Sequence, residues 1–188
     1  MERNKALAGF TLAEILVVLF IISLLSALTF ANYRQGGKQM ALQRAASKLA
    51  QDIRRAQEMA IAATECPSGT ACAGQIPAGY GVFLCITGGC NNPTQYILYA
   101  DVDNNQYFGA GDSIIATSTF ESGIIISDID NGPNPKRIAI NFKPPDPEVK
   151  LKFASGIGNE VATTTITLSL GSLTKTVKVN KAGLIEIQ

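Results

Sequence analysis

Between Phe10 and Phe30 the chain carries one charged side chain, Glu14, in a run that is otherwise apolar, small or hydroxylated. As a helix rising about 1.5 Å per residue, the run would be about 31 Å long, the thickness of a bilayer's hydrocarbon core. A helix apolar on every side has no face to offer water, so the segment is expected to span a membrane or to be removed. A secretory signal would have a shorter apolar region of about 7–15 residues and a small-x-small cleavage site. Ala27-Leu28-Thr29 is the nearest approach to one. Arg3 and Lys5 precede the run, while Arg34 and Lys38 follow it, and the short basic leader favours a cytoplasmic N-terminus. Glu14 needs its own explanation, because an acidic side chain in hydrocarbon costs about 2.5–3.5 kcal/mol at a helix centre and less near the interface. One explanation is local. Thr11-Leu12-Ala13-Glu14 fits the S/T-x-x-E capping box, in which both side chains satisfy free N–H groups at a helix start.

The 188 residues leave room for one globular domain besides this segment. A formal charge of +1 gives no general reason to expect nucleic acid as a partner. With no histidine, Ser-His-Asp and Cys-His nucleophile pairs and the common histidine-bearing zinc sites are excluded. The chain is therefore read as a non-enzyme.

Gly36-Gly37 would weaken a helix by about 1 kcal/mol each relative to Ala, so a bend or melted turn is expected there. Beyond it, Leu42, Ala46, Leu49, Ile53, Ala56, Ala60 and Ala63 step by four and three, the stripe of an amphipathic helix packed on the following domain. Helix should give way near Glu65-Cys66-Pro67. Beyond Gln75 the period is two, and strands are expected at Tyr80–Ile86, Gln95–Ala100, Ser113–Thr119, Gly123–Ser127, Arg137–Phe142, Val149–Phe153, Ala162–Leu170, Leu173–Asn180 and Leu184–Ile187. Turn residues Gly88-Gly89, Asn131-Gly132-Pro133 and Lys143-Pro144-Pro145 separate several of them, and Asn180-Lys181-Ala182-Gly183 reads as a hairpin turn. The expected fold class is α+β: a long N-terminal helix, membrane-spanning in its first half and amphipathic in its second, packed on an antiparallel sheet.

Lys5, then Gly9-Phe10-Thr11-Leu12-x-Glu14, then the apolar run resembles the leader and first helix of type IV pilins and type II secretion pseudopilins. Leu49-x-x-Asp52-Ile53-Arg54-x-Ala56-Gln57 is similar to the stem of the GspH/FimT group of minor pseudopilins, and Thr176-Val177-Lys178-Val179-Asn180-x-x-Gly183 to the end of its head. The proline that family members often carry near Ala31 is missing. The resemblance implies four parts: a leader at 1–9, an assembly helix at 10–35, a stem at 36–64 and a β-rich head at 65–188. It implies cleavage of the Gly9–Phe10 bond by a prepilin peptidase, N-methylation of Phe10, and pairing of Glu14 with a neighbouring subunit's N-terminus. Its implied partners are other pilin or pseudopilin subunits, the peptidase, an inner-membrane assembly platform and the lipid bilayer. The implied location is a single pass through the cell membrane, head outside the cytoplasm, followed by entry into a pilus or pseudopilus.

Asp101, Asp103, Asn105, Tyr107 and Asp112 stand at loop positions 1, 3, 5, 7 and 12 of a calcium-binding EF-hand. Against Ca2+, Gln106 occupies the position where the tight turn wants glycine, position 12 is Asp instead of Glu, and the flanks read as strands. The competing reading is an Asx-rich turn, which the similar hairpin of GspH-like heads also suggests. Cys66, Cys72, Cys85 and Cys90 match no usual zinc spacing, and an extracytoplasmic head favours disulfides. Three pairings are open. The two local ones, Cys66–Cys72 and Cys85–Cys90, are expected. Where DNA-binding FimT-like proteins carry Gly-Arg-x-Arg, this chain has Gly183-Leu184-Ile185-Glu186, so Lys175, Lys178 and Lys181 read as a solvated strand edge and nucleic acid is disfavoured as a partner.

Overall fold

The computed structural model describes residues 9–86, 92–130, 136–144, 148–153 and 160–188, with the side chains of 28–34 outside the description. The chain divides into two compact units, Met1–Gln39 and Met40–Gln188. The architecture is α+β, as the change of period from helical to two implies.

One continuous helix, α1, runs Leu12–Ile61 among the described residues. It passes through Gly36-Gly37 without interruption, so the melted turn expected there does not occur. Two glycines weaken a helix by about 2 kcal/mol together, which tertiary anchoring of the residues beyond them overrides. Within the second unit the stripe is a buried face. Leu42, Ala46, Leu49, Ile53, Ala56 and Ala60 are at most 1% exposed, and Ala45 and Ala50 join them. Ala63 does not. It lies past the helix end at φ 44°, where the Ala63 N–H reaches the Ala60 carbonyl (3.0 Å) and the Thr64 N–H the Met59 carbonyl (3.0 Å). These two bonds make a Schellman cap, with alanine in the left-handed position usually held by glycine.

Among the described residues nine strands follow in two antiparallel sheets, where the sequence suggested one. The five-stranded sheet has the order β3-β2-β1-β5-β6, with β1 Gly79–Cys85, β2 Gln95–Asp101, β3 Ser113–Thr119, β5 Arg137–Lys143 and β6 Glu148–Lys152. The other has the order β4-β7-β8-β9, with β4 Ile125–Ile129, β7 Thr163–Leu170, β8 Leu173–Asn180 and β9 Ile185–Ile187. Every expected strand is present, β3 and β8 at their expected bounds and the others with ends moved by one or two residues. The turn residues at Gly88-Gly89, Asn131-Gly132-Pro133 and Pro145 lie outside the described residues.

One core joins the α1 stripe to Val82, Leu84, Ile138 and Ile140 of the first sheet and to Ile166, Leu168, Val177 and Val179 of the second. The stem string supplies its polar ties. The Asp52 carboxylate accepts from Tyr96 Oη at 2.6 Å and Ser118 Oγ at 3.2 Å, holding α1 to β2 and β3. Burial, assisted by Asp52, raises the Tyr96 phenol well above its ordinary pKa, so it stays a donor. Arg54 donates to the Ile185 carbonyl. Gln57 lies against the turn before β9, where a side chain at Gly183 would come within 2.8 Å of its amide nitrogen.

β1 is buried along its whole length, because α1 covers one face and a second, smaller cluster covers the other. That cluster holds Phe83, Tyr99, Tyr107 and Phe108, with ring centroids 5.1–5.7 Å apart in three pairs. Tyr107 and Phe108 belong to the β2–β3 loop. Their rings fasten that loop to the outer face of the sheet. Gly81 makes room beneath it, since a Cβ there would sit 2.7 Å from the Tyr99 ring.

Candidate functional site

Two places gather groups with chemistry to do, the start of α1 and the β2–β3 loop. At the first, Thr11 is the N-cap. Its Oγ1 accepts the Glu14 N–H at 3.3 Å, while Glu14 Oε2 accepts the Thr11 N–H at 3.1 Å and the Thr11 hydroxyl at 3.1 Å. The capping box legible in the sequence is therefore formed, and the carboxylate lies where the helix dipole favours negative charge. Among the described residues Glu14 Oε1 has no hydrogen bond. Gly9 and Phe10 precede the helix, outside any regular element, and both are exposed; residues 1–8 lie outside the description. Phe10, Ile15, Val18 and Leu19 line a shallow apolar groove onto which Glu14 opens.

All side chains from 12 to 27 are exposed, and nearly all are apolar. Among the described residues no helix is long and apolar enough to cross a membrane. Residues 12–27 make about 24 Å of helix, and the span expected from the sequence runs on to Phe30, into the residues whose side chains are not described.

In the β2–β3 loop the ligand-type oxygens of Asp101, Asp103 and Asp112 all lie within 4.8 Å of one another. The main chain wraps them. Gln106 N donates to Asp101 Oδ2 (3.0 Å), Asn105 N to Asp103 Oδ1 (3.1 Å), Tyr107 N to Asn105 Oδ1 (2.7 Å), and Val102 N and Gly109 N to the two Asp112 oxygens (3.0 and 2.8 Å). Asn104 and Gln106 take φ of 60° and 58° to allow this. The tight turn that wants glycine is thus made with glutamine, whose Oε1 is held by Lys152 Nζ at 3.0 Å. The same ammonium binds the Asn105 carbonyl at 3.0 Å. Gly111 leaves space for Asp103, because a Cβ there would meet Asp103 Oδ2 at 2.8 Å.

Asp101 is 1% exposed, and its Oδ1 has no hydrogen-bond partner among the described residues. Burial pushes its pKa up to about 6, opposed by the Gln106 N–H and reinforced by the Asp112 and Asp103 charges; burial also raises that of Asp112. On β5, Asn141 Nδ2 donates to Asp101 Oδ2 and to Tyr99 Oη, both at 3.2 Å. Asn141 and Lys152 are parts of this site that sequence reading missed. Both come from strands distant in sequence, and no local signal marked them.

Cys66 and Cys72 form a disulfide with Cα atoms 5.6 Å apart. Cys85 is disulfide-bonded as well, and Cys90, its expected partner, lies outside the described residues. The lysines behave differently from a solvated edge. β8 runs between β7 and β9, Lys178 stands opposite Glu186 across β8 and β9, and Lys181 pairs with Glu160 at 3.3 Å.

Residues 4–30 match the family model described as the prokaryotic N-terminal methylation motif. No curated protein and no solved structure matches the chain. The match supports the pilin and pseudopilin superfamily, whose members are prepilin-peptidase substrates, and it covers Gly9, Phe10, Glu14 and the apolar run together.

Proposed function

We propose that this protein is a minor pilin or pseudopilin, a structural subunit made as a prepilin and assembled into a filament through α1. The observation that carries the reading is the methylation motif over residues 4–30, with Glu14 at the start of a helix whose side chains from 12 to 27 are exposed and nearly all apolar. Hydrolysis of the Gly9–Phe10 amide leaves a carboxylate on Gly9 and a free amine on Phe10, whose nitrogen then takes a methyl group from a sulfonium methyl donor, releasing the thioether. The Thr11 N–H belongs to the Phe10–Thr11 peptide and survives cleavage. The capping box therefore persists in the mature chain and keeps the helix start ordered.

Glu14 then has two tasks. Oε2 caps its own helix, and Oε1 is left for a neighbouring subunit's N-terminal ammonium, one charge-assisted bond in a low-dielectric bundle that selects axial register. The run 10–30 spans the inner membrane before assembly, with the head outside the cytoplasm. Support for the GspH/FimT subgroup comes from the stem string, in which Leu49, Ile53 and Ala56 enter the core and Asp52, Arg54 and Gln57 meet the head.

The test is the intact mass of the protein recovered from membranes of cells with and without prepilin peptidase. The expected product lacks residues 1–9 and carries one methyl group, only where the peptidase is present. An uncut chain would make the segment an ordinary anchor, and loss of the whole apolar run would make the protein a secreted β domain.

A further inference from the structure

The three carboxylates of the β2–β3 loop pose a charge problem that nothing nearby resolves. Among the described residues no ion pair reaches Asp101, Asp103 or Asp112, and the Lys152 ammonium is spent on a carbonyl and an amide oxygen. Independently of that clustering, the Asp101 side chain is almost wholly buried with one carboxylate oxygen unpartnered. A buried carboxylate oxygen without a donor is strongly disfavoured unless something positive meets it.

We propose that residues 101–112 hold one calcium ion in the head, bound by carboxylate oxygens of Asp101, Asp103 and Asp112 together with Asn105 Oδ1 and the Tyr107 carbonyl. The donors are all hard oxygens, more numerous than magnesium commonly takes from protein, and lack the nitrogen or sulfur that zinc selects. Each residue occupies its EF-hand loop position, and the main-chain N–H bonds hold the carboxylates without using all their lone pairs. Two strands of one sheet replace the two helices of an EF-hand. The Tyr107 and Phe108 rings, packed on Phe83 and Tyr99, pre-organise the loop. This site does not depend on the filament reading and would stand if that reading failed.

The experiment uses the full-length chain in detergent, stripped with EGTA and titrated with CaCl2 by calorimetry, with thermal unfolding followed in parallel. Asp103→Asn is the principal variant because Asp103 is exposed and outside the core, and Asp112→Asn is the second. Asp128→Asn, a carboxylate elsewhere paired with Lys136, is the control. Expected are saturable one-to-one binding at roughly 10⁻⁵–10⁻³ M, a higher Tm in calcium than in EGTA, and a weaker response to MgCl2. Asp103→Asn should weaken binding by about tenfold or more, since affinity follows the ligand charge count, while the control leaves it unchanged. Absence of saturable heat and of any Tm shift at millimolar calcium overturns the proposal, as does a calcium response that survives both loop variants.

Discussion

Ala63 holds a backbone conformation that costs a Cβ-bearing residue about 1–2 kcal/mol, in a cap where glycine would sit without strain. Glycine also loses more freedom on folding, so Ala63→Gly is expected to raise stability by a net 0.5–1 kcal/mol or so, read as a shift in denaturant midpoint at unchanged slope. Unchanged or lower stability would mean that the cap is not strained. Gln106 has the same backbone problem and a different answer, because its side chain is tied to Lys152. Gln106→Ala keeps the strain and loses the bond, an expected cost of about 1 kcal/mol. Gln106→Gly loses the bond and relieves the strain, so it should lie near neutral. If alanine is tolerated as well as glycine, the Lys152 contact contributes nothing. The misfit at Gln106 was legible in the sequence, since the loop template asks for glycine there. Its resolution was not, because Lys152 lies 46 positions along the chain.

At the scale of elements, α1 and the strands were legible because each has a period that its burial enforces. The stripe from Leu42 to Ala60 became the buried face, and the nine alternating segments became β1 to β9. What periodicity could not supply was pairing. β5 enters between β1 and β6, and β4 joins the other sheet at its far edge, choices made by long-range contacts. The same limit applies to the start of α1, where Thr11 and Glu14 announce a cap and an apolar helix but not what covers it. Separating the two tasks of Glu14 is therefore a matter of charge against capping. Glu14→Gln keeps a side chain that serves at the third helical position, so processing and helix content should be retained while filament incorporation falls. Glu14→Leu also removes the bonds from the Thr11 N–H and hydroxyl, leaving Thr11 Oγ1 to cap the residue-14 N–H alone, and helix content in detergent should fall slightly, by the loss of one hydrogen-bonded half of the box, about 0.5–1.5 kcal/mol. Filament incorporation of Glu14→Gln at the wild-type level would limit Glu14 to capping.

On the scale of the whole molecule, the two units differ in what their apolar surface faces. Residues 12–27 show their side chains to the surroundings, whereas the core of the second unit is built from residues between Leu42 and Ile185, all of them its own. Among the described residues, the buried core of the second unit begins at Leu42. A chain of residues 40–188 is expected to unfold in one cooperative transition and to stay in solution without detergent, while the full chain needs detergent because Phe10, Leu16, Phe20 and Leu25 are each more than half exposed. Truncation places Leu42 and the Arg44–Glu121 ion pair near a fraying helix end. The ion pair is solvent-exposed and contributes little, so the loss is mainly partial release of one leucine. A loss of about 1 kcal/mol corresponds to about 2–4 °C in a domain of this size, and the shortened chain should melt lower by that amount. Aggregation, or a broad transition with several steps, would mean that the head draws on the first unit for its core.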